Sequence, residues 1–203
     1  MRGRLIVLEG PDGGGKSTNA RFVERWLQDR GRQVLLTREP GGSPLAEQIR
    51  GLLLADGEMP PATEVLLMYA ARAAHLAQTI GPALAGGRDV VCDRFVDASY
   101  AYQGAGRGVP VAVLDQLSRY VLGELTPDRV ILLDLPLADG QQRTRGRGQQ
   151  DRFDREQASF RGAVREAYLQ RAAAAPERYA VIDASAPLAD VQSQITQCLE
   201  ALS

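Results

Sequence analysis

Lys16 is the only lysine among 24 basic residues, and it stands in Gly10-Pro11-Asp12-Gly13-Gly14-Gly15-Lys16-Ser17-Thr18. Glycines at this spacing let successive backbone N–H groups converge on phosphate oxygens. The lysine adds a point charge for the β and γ oxygens of a nucleoside triphosphate, and the Ser17 hydroxyl can ligate Mg²⁺. Arginine fills the other basic positions, as a GC-rich coding background would arrange wherever either cation serves. A position that stays lysine is one where a compact ammonium does not exchange for a planar fork.

Two further segments carry charged groups where a phosphate would meet them. Val90-Val91-Cys92-Asp93-Arg94 is an apolar run ending in a carboxylate, the layout expected for a second acidic group near Mg²⁺. Arg38-Glu39-Pro40-Gly41-Gly42 also follows an apolar run, with proline and glycines holding the backbone and Arg38 available to a phosphate.

Elements that could position these groups are legible in the pattern. Leu5–Glu9 is a short apolar run closed by glycine, and residues 17–28 carry Ala20, Val23, Trp26 and Leu27 at helical spacing. Strand, glycine loop and helix together are the context of a P-loop. Further apolar runs at 33–37, 89–92, 129–133 and 179–182 alternate with helical patterns at 45–54, 63–84, 111–122, 137–144, 156–174 and 188–202. Alternation of this kind predicts an α/β chain with a three-layer P-loop fold: a five-stranded parallel sheet flanked by helices, with ligands at the carboxyl ends of the strands. Residues 145–152 are arginine-rich and glycine-hinged without apolar periodicity, so a mobile lid is expected at about 145–154.

The 203 residues, 44% hydrophobic and 24% charged, suit one domain spanning 1–203. A formal net charge of -1 offers no global positive field for a nucleic-acid backbone. Cys92 and Cys198 make no disulfide framework, and no Cys/His cluster has zinc spacing. The N-terminus runs directly into the first strand, leaving no room for a signal peptide, and no apolar run approaches the roughly 20 residues of a membrane span. Small nucleotides as partners, neither nucleic acid nor membrane, and a cytoplasmic location are the expectations.

The motifs resemble those of the bacterial thymidylate kinase family through nearly the whole chain. The resemblance rests on the glycine loop, Thr37-Arg-Glu-Pro-Gly-Gly42, Tyr69-Ala-Ala-Arg72, Asp93-Arg94-Phe95, Ala101-Tyr-Gln-Gly104 and Arg147-Gly-Gln-Gln-Asp-Arg152, in family order and spacing. It implies transfer of the γ-phosphoryl of ATP to thymidine monophosphate (dTMP), with Mg²⁺, by a homodimer. Carried over residue by residue, it implies that Arg38, Arg50 and Arg94 grip the acceptor phosphate, with Glu39 beside them. Arg72, Ser99 and Gln103 would read the thymine, and Tyr102 would crowd the sugar 2′ position. Asp12 would meet the 3′-hydroxyl and the phosphate-binding arginines. Arg147 and Arg152 would close over ATP, Arg143 would lie against adenine, and Ser17 and Asp93 would hold the metal. Two positions depart from the family pattern: Met68 stands where a phenylalanine often stacks on thymine, and Asp154 where a glutamate often follows the lid. Methionine can lie against a flat ring through its polarizable sulfur.

A kinase of the same fold acting on another pyrimidine or deoxynucleoside is the nearest alternative. A GTP-driven switch would need an Asn-Lys-x-Asp element, and the only asparagine, Asn19, precedes Ala20. His75, the only histidine, reads as helix surface or packing, since an ionised acceptor phosphate needs no general base. Trp26 reads as core or subunit interface.

Overall fold

The computed structural model describes residues 2–144, 153 and 156–202, the side chains of 141–144 excepted. Five strands among the described residues, β1 (Leu5–Glu9), β2 (Val34–Arg38), β3 (Asp89–Asp93), β4 (Arg129–Asp134) and β5 (Tyr179–Asp183), form one sheet in the order β2-β3-β1-β4-β5. Every pairing is parallel. The α/β architecture expected from the alternating pattern is the one observed.

Strand alternation explains which helices cover which face. Ile6 and Leu8 of β1 pack with Val23, Trp26 and Leu27 of α1 (Lys16–Gln28) and with Val191 and Ile195 of α9 (Leu188–Glu200). Leu5 and Val7 face the other way, toward Ile80, Leu84 and Phe95. Leu132 on that second face meets Val164 and Tyr168 of α8 (Ala158–Ala174). With both faces covered, the three central strands β1, β3 and β4 carry unbroken buried apolar runs.

β1 continues to β2 on one side while its neighbour β3 continues to β4 on the other, so a crevice opens at the carboxyl ends. Register sets the level of that crevice: Leu8 pairs with Asp93, and Arg38 pairs with Asp93 from the other side. Glu9, Arg38 and Asp93 therefore end their strands together.

The helix expected over 63–84 is a composite. α3 (Pro61–His75) runs into a π-helical turn at Leu76–Ile80 and then α4 (Gly81–Ala85). Pro82 lacks an N–H and its ring crowds the preceding turn, so the chain widens before it, with Gly81 N–H donating to Leu76 O. A second helical run went unread in the sequence: α5 (Val96–Ser99) passes into a π-helical stretch at Tyr100–Gly106. Its glycines look like a loop, yet a Cβ on Gly106 would overlap the Phe160 ring, so close packing of α8 is what excludes a side chain there. The remaining helices are α2 (Pro44–Leu54), α6 (Val111–Leu122) and α7 (Leu137–Thr144). No helix among the described residues is long and apolar enough to cross a membrane.

Candidate active site

The glycine loop joins β1 to α1 and passes close beneath β4. Gly10 has φ 135°, and a Cβ there would overlap the carbonyl oxygen of Leu133, so a side chain is excluded by both conformation and space. Gly15, left-handed at φ 79°, delivers the chain to the N-terminus of α1, where unpaired N–H groups and the helix dipole favour an anion. Lys16 folds back under the loop, its Nζ donating to Pro11 O at 2.8 Å and lying 3.9 Å from Asp12 Oδ1. Burial and the neighbouring Arg94 charge pull its pKa down to about 8. The Ser17 hydroxyl donates to Asp93 Oδ2 at 2.6 Å, which brings together the two groups expected to hold a metal.

Arg94 follows directly and is the only non-glycine residue among those described with positive φ, at 69°. Such a conformation costs about 1–3 kcal/mol and persists where surrounding contacts determine it. Here Arg94 N donates to Leu8 O at 2.9 Å, and Phe95 N donates to the buried Glu9 carboxylate at 2.8 Å. The turned backbone carries the guanidinium into a ring of partners. Its Nη2 donates to Asp12 Oδ1 at 2.5 Å and to Tyr102 Oη at 3.0 Å, while Nη1 donates to Tyr168 Oη at 3.1 Å. Tyr102 donates in turn to Asp12 Oδ2 at 2.8 Å, and Tyr168 to Glu9 Oε2 at 2.9 Å.

The electrostatics of this ring are uneven. Burial, with Asp97 adding to it, pushes the Glu9 carboxyl up to about 7. Burial also acts on Asp12, but the Arg94 and Lys16 charges outweigh it and hold that carboxyl well below the ordinary range. Asp12 is therefore a fixed anion that orients Arg94.

These groups open on a cavity of about 270 Å³. Asp12, Gly13, Gly15, Lys16, Ser17, Thr18, Asp93 and Arg94 line it from the loop and β3, Arg38, Glu39, Pro40 and Arg50 from the turn after β2 and from α2, and Met68, Tyr102, Gln103 and Phe153 from elsewhere. Gly10, Pro11 and Gly14 build the loop without reaching the wall. Arg38 is exposed and paired with Glu47 at 3.0 Å, and Arg50 donates to Pro40 O at 2.6 Å. Met68 is both wall and core, packing with Ala46, Ile49 and Leu53.

Two residues expected to read the base stand behind the wall. Arg72, 1% exposed, is committed to Glu39 Oε2 (2.7 Å), Ser99 Oγ (3.1 Å) and Phe95 O (3.0 Å), and Ser99 is buried with it. His75, read as surface or packing, is fully buried packing: its Nδ1 meets Glu39 Oε1 at 3.2 Å and its Nε2 meets Thr37 Oγ1 at 2.7 Å. Trp26 belongs to the core. The Arg143 side chain and the whole of Arg147, Arg152 and Asp154 lie outside the described residues.

Sequence reasoning missed Glu9, Tyr168 and Glu47. A signal existed for Glu9, a charged residue closing a strand otherwise wholly apolar. None existed for Tyr168, which sits on α8 far along the chain. Among the described residues no three His, Cys, Asp or Glu gather as a metal cluster. A hydroxyl and a carboxylate at the loop nonetheless suit a hard divalent cation that completes its shell with phosphate and water.

The thymidylate kinase family model matches residues 8–195. The chain belongs to the thymidylate kinase family. It is 53% identical over 204 residues to the thymidylate kinase of Pseudomonas fluorescens (strain SBW25), covering all of this chain and 97% of that relative. With the thymidylate kinase of Pseudomonas entomophila (strain L48), identity is 54% over 201 residues, covering 98% and 96% of the two chains. The crystal structure of thymidylate kinase from Ehrlichia chaffeensis superposes with a TM-score of 0.81 at 29% identity, covering 98% of this chain and 99% of that one. Family, relatives and fold thus agree on a kinase.

Proposed function

We propose that this chain transfers the γ-phosphoryl group of ATP to dTMP, giving ADP and dTDP, and that the cavity between the glycine loop and Gln103 holds both substrates as one cytoplasmic domain working in a homodimer. The observation that carries the reading is the position of Arg94, bonded to Asp12 of the glycine loop on one side and to Tyr102 of the proposed sugar wall on the other.

In the reaction, an oxygen of the dTMP phosphate forms a bond to the γ phosphorus as the bond to the bridging oxygen of ADP breaks. Little covalent work is asked of the protein, so alignment and charge neutralisation do the catalysis. The loop N–H groups and Lys16 hold the β and γ phosphates. Ser17 and Asp93 would hold Mg²⁺, which offsets phosphate charge when bound. Arg94 meets the phosphoryl group in transit, with Arg38 and Arg50 on the acceptor phosphate and Glu39 ordering the same wall. Asp12 orients Arg94 and faces the sugar 3′-hydroxyl, and the Tyr102 ring closes the 2′ position. Met68 lies against the thymine, Gln103 bonds its edge, and Arg72, with three of its five N–H groups committed, reaches that edge from behind, supported by Ser99. Arg143, Arg147 and Arg152 act on ATP from the lid side, where closure excludes water.

The test is ATP-dependent diphosphate formation across the nucleoside monophosphates with the purified chain. dTMP is expected to give the highest kcat/KM, and equal or better turnover of uridine or cytidine monophosphate would overturn the assignment.

A further inference from the structure

We propose that Glu64 determines which pyrimidine the site accepts, by fixing the orientation of the Gln103 amide. The inference rests on the reading that Gln103 meets the base, and adds to it the residue that makes Gln103 selective.

Glu64 lies in the first turn of α3 and is fully buried, as is Gln103 in the π-helical stretch after α5. A carboxylate taken out of water must find donors. Its Oε1 accepts from Gln103 Nε2 at 2.7 Å, and its Oε2 from Arg107 Nε at 3.3 Å. Arg107 is held in turn by Glu156 at 2.5 Å and lies over the Phe160 ring.

An amide has a donating and an accepting end of nearly equal shape, so its orientation follows from its neighbours. The Glu64 carboxylate has only acceptors to offer, and facing it the Gln103 amide must present its nitrogen. The carbonyl oxygen is then left over. Gln103 Oε1 is buried and has no hydrogen-bond partner among the described residues, and Gln103 is part of the cavity wall alongside Met68. A buried acceptor without a donor is a cost that a ligand donor removes.

The group offered to the base is therefore an acceptor. Thymine and uracil carry an N3–H donor between two carbonyls. Cytosine has an acceptor at N3, which would face the Gln103 oxygen lone pair to lone pair. The share of the discrimination against cytosine that Gln103 exerts thus originates in Glu64, a residue that touches no substrate: it is a positioning residue for specificity.

Glu64→Gln tests this with almost no change of shape. The amide introduced at position 64 can show Gln103 either of its ends, so the Gln103 orientation is no longer forced. The expected result is a kcat/KM ratio of dTMP over deoxycytidine monophosphate that narrows by about tenfold or more, with KM for ATP unchanged. Restoration by the exchanged pair, Glu64→Gln with Gln103→Glu, separates orientation from simple loosening. The carboxylate then at position 103 again presents only acceptors to the base, and the amide at position 64 supplies its donor. That double variant is expected to recover the dTMP preference. A wild-type ratio in Glu64→Gln, or no recovery in the exchanged pair, overturns the proposal. Should Glu64→Gln fail to fold, the exchanged pair decides alone. Gln103→Leu distinguishes the two layers of inference. An unchanged KM for dTMP there removes the underlying reading of Gln103, whereas a raised KM with an unmoved ratio in Glu64→Gln removes only the role of Glu64.

Discussion

Tyr102→Phe separates two jobs proposed for one side chain. The ring is buried against Phe153, Phe160 and Tyr168 with centroids 5.8, 6.1 and 6.5 Å away, all edge-on, so phenylalanine keeps the wall proposed to close the sugar 2′ position. What it loses is the hydroxyl, which donates to Asp12 Oδ2 at 2.8 Å and accepts from Arg94 Nη2 at 3.0 Å. Hydrogen bonds to charged groups contribute about 1.5–3 kcal/mol each. Both losses are cushioned: Arg94 keeps Asp12 and Tyr168, and Asp12, with 37% of its side chain exposed, can take a water in place of the phenol. A combined loss of about 1–2 kcal/mol follows, and since 1.36 kcal/mol is a factor of ten, kcat/KM for dTMP should fall about 5- to 30-fold. A coupled assay of ADP release over a dTMP series measures it. Discrimination between deoxyribo- and ribonucleoside monophosphates should stay within about twofold of wild type, because the ring remains. The reasoning is refuted if kcat/KM for dTMP is unchanged, which would make the hydroxyl bonds incidental, or if ribonucleotide turnover rises, which would make the hydroxyl and not the ring the gate.

The other predictions concern charge at the phosphates. Arg94→Ala should lower kcat by about a thousandfold or more, as it removes a preorganised donor from the transferred group, and near-normal turnover would contradict its role. Lys16→Arg keeps the charge but brings a planar fork into a loop where the ammonium is 8% exposed and bonded to Pro11 O. Steady-state assay should find activity down by at least about a hundredfold, and full activity would mean that charge alone suffices. The pH profile of kcat/KM for ATP reports the free protein. With Lys16 lowered to about 8 by burial and by Arg94, the charged, phosphate-binding form is present below that pH and lost above it. The profile should therefore bend downward near pH 8, and a profile that stays flat well into the alkaline range would exclude Lys16 as the titrating group.

How much of this was legible in the sequence follows from the range of the interactions. Groups whose placement is set by chain neighbours could be read directly: the glycine loop, Lys16 and Ser17 need only a strand before and a helix after them, and the parallel sheet needs only alternation of period. Asp93 became credible through topology, since parallel strands deliver their carboxyl ends to one crevice. The helical run 96–106 was hidden because Gly104 and Gly106, placed for the approach of α6 and α8, carry the local signature of a loop. What stayed out of reach was the second layer. Tyr168 and Glu9 are 159 residues apart and meet only because α8 crosses the end of β1, and Glu64 meets Gln103 across 39 residues.

That second layer also explains an inversion at Arg94. Read alone, a guanidinium among anions is a neutralised charge and a weak catalyst. The structure, however, divides its environment: Asp12 is a fixed anion, while Glu9 on the far side of Tyr168 is raised to about 7. The strongest full negative charge facing Arg94 is thus Asp12, which stands on the cavity wall. Anions entering that cavity compete for a cation held by one carboxylate at its edge and by two phenols. Arg94 is consequently oriented without being spent, and the strained backbone at φ 69° is what keeps it aimed there before a phosphate is present.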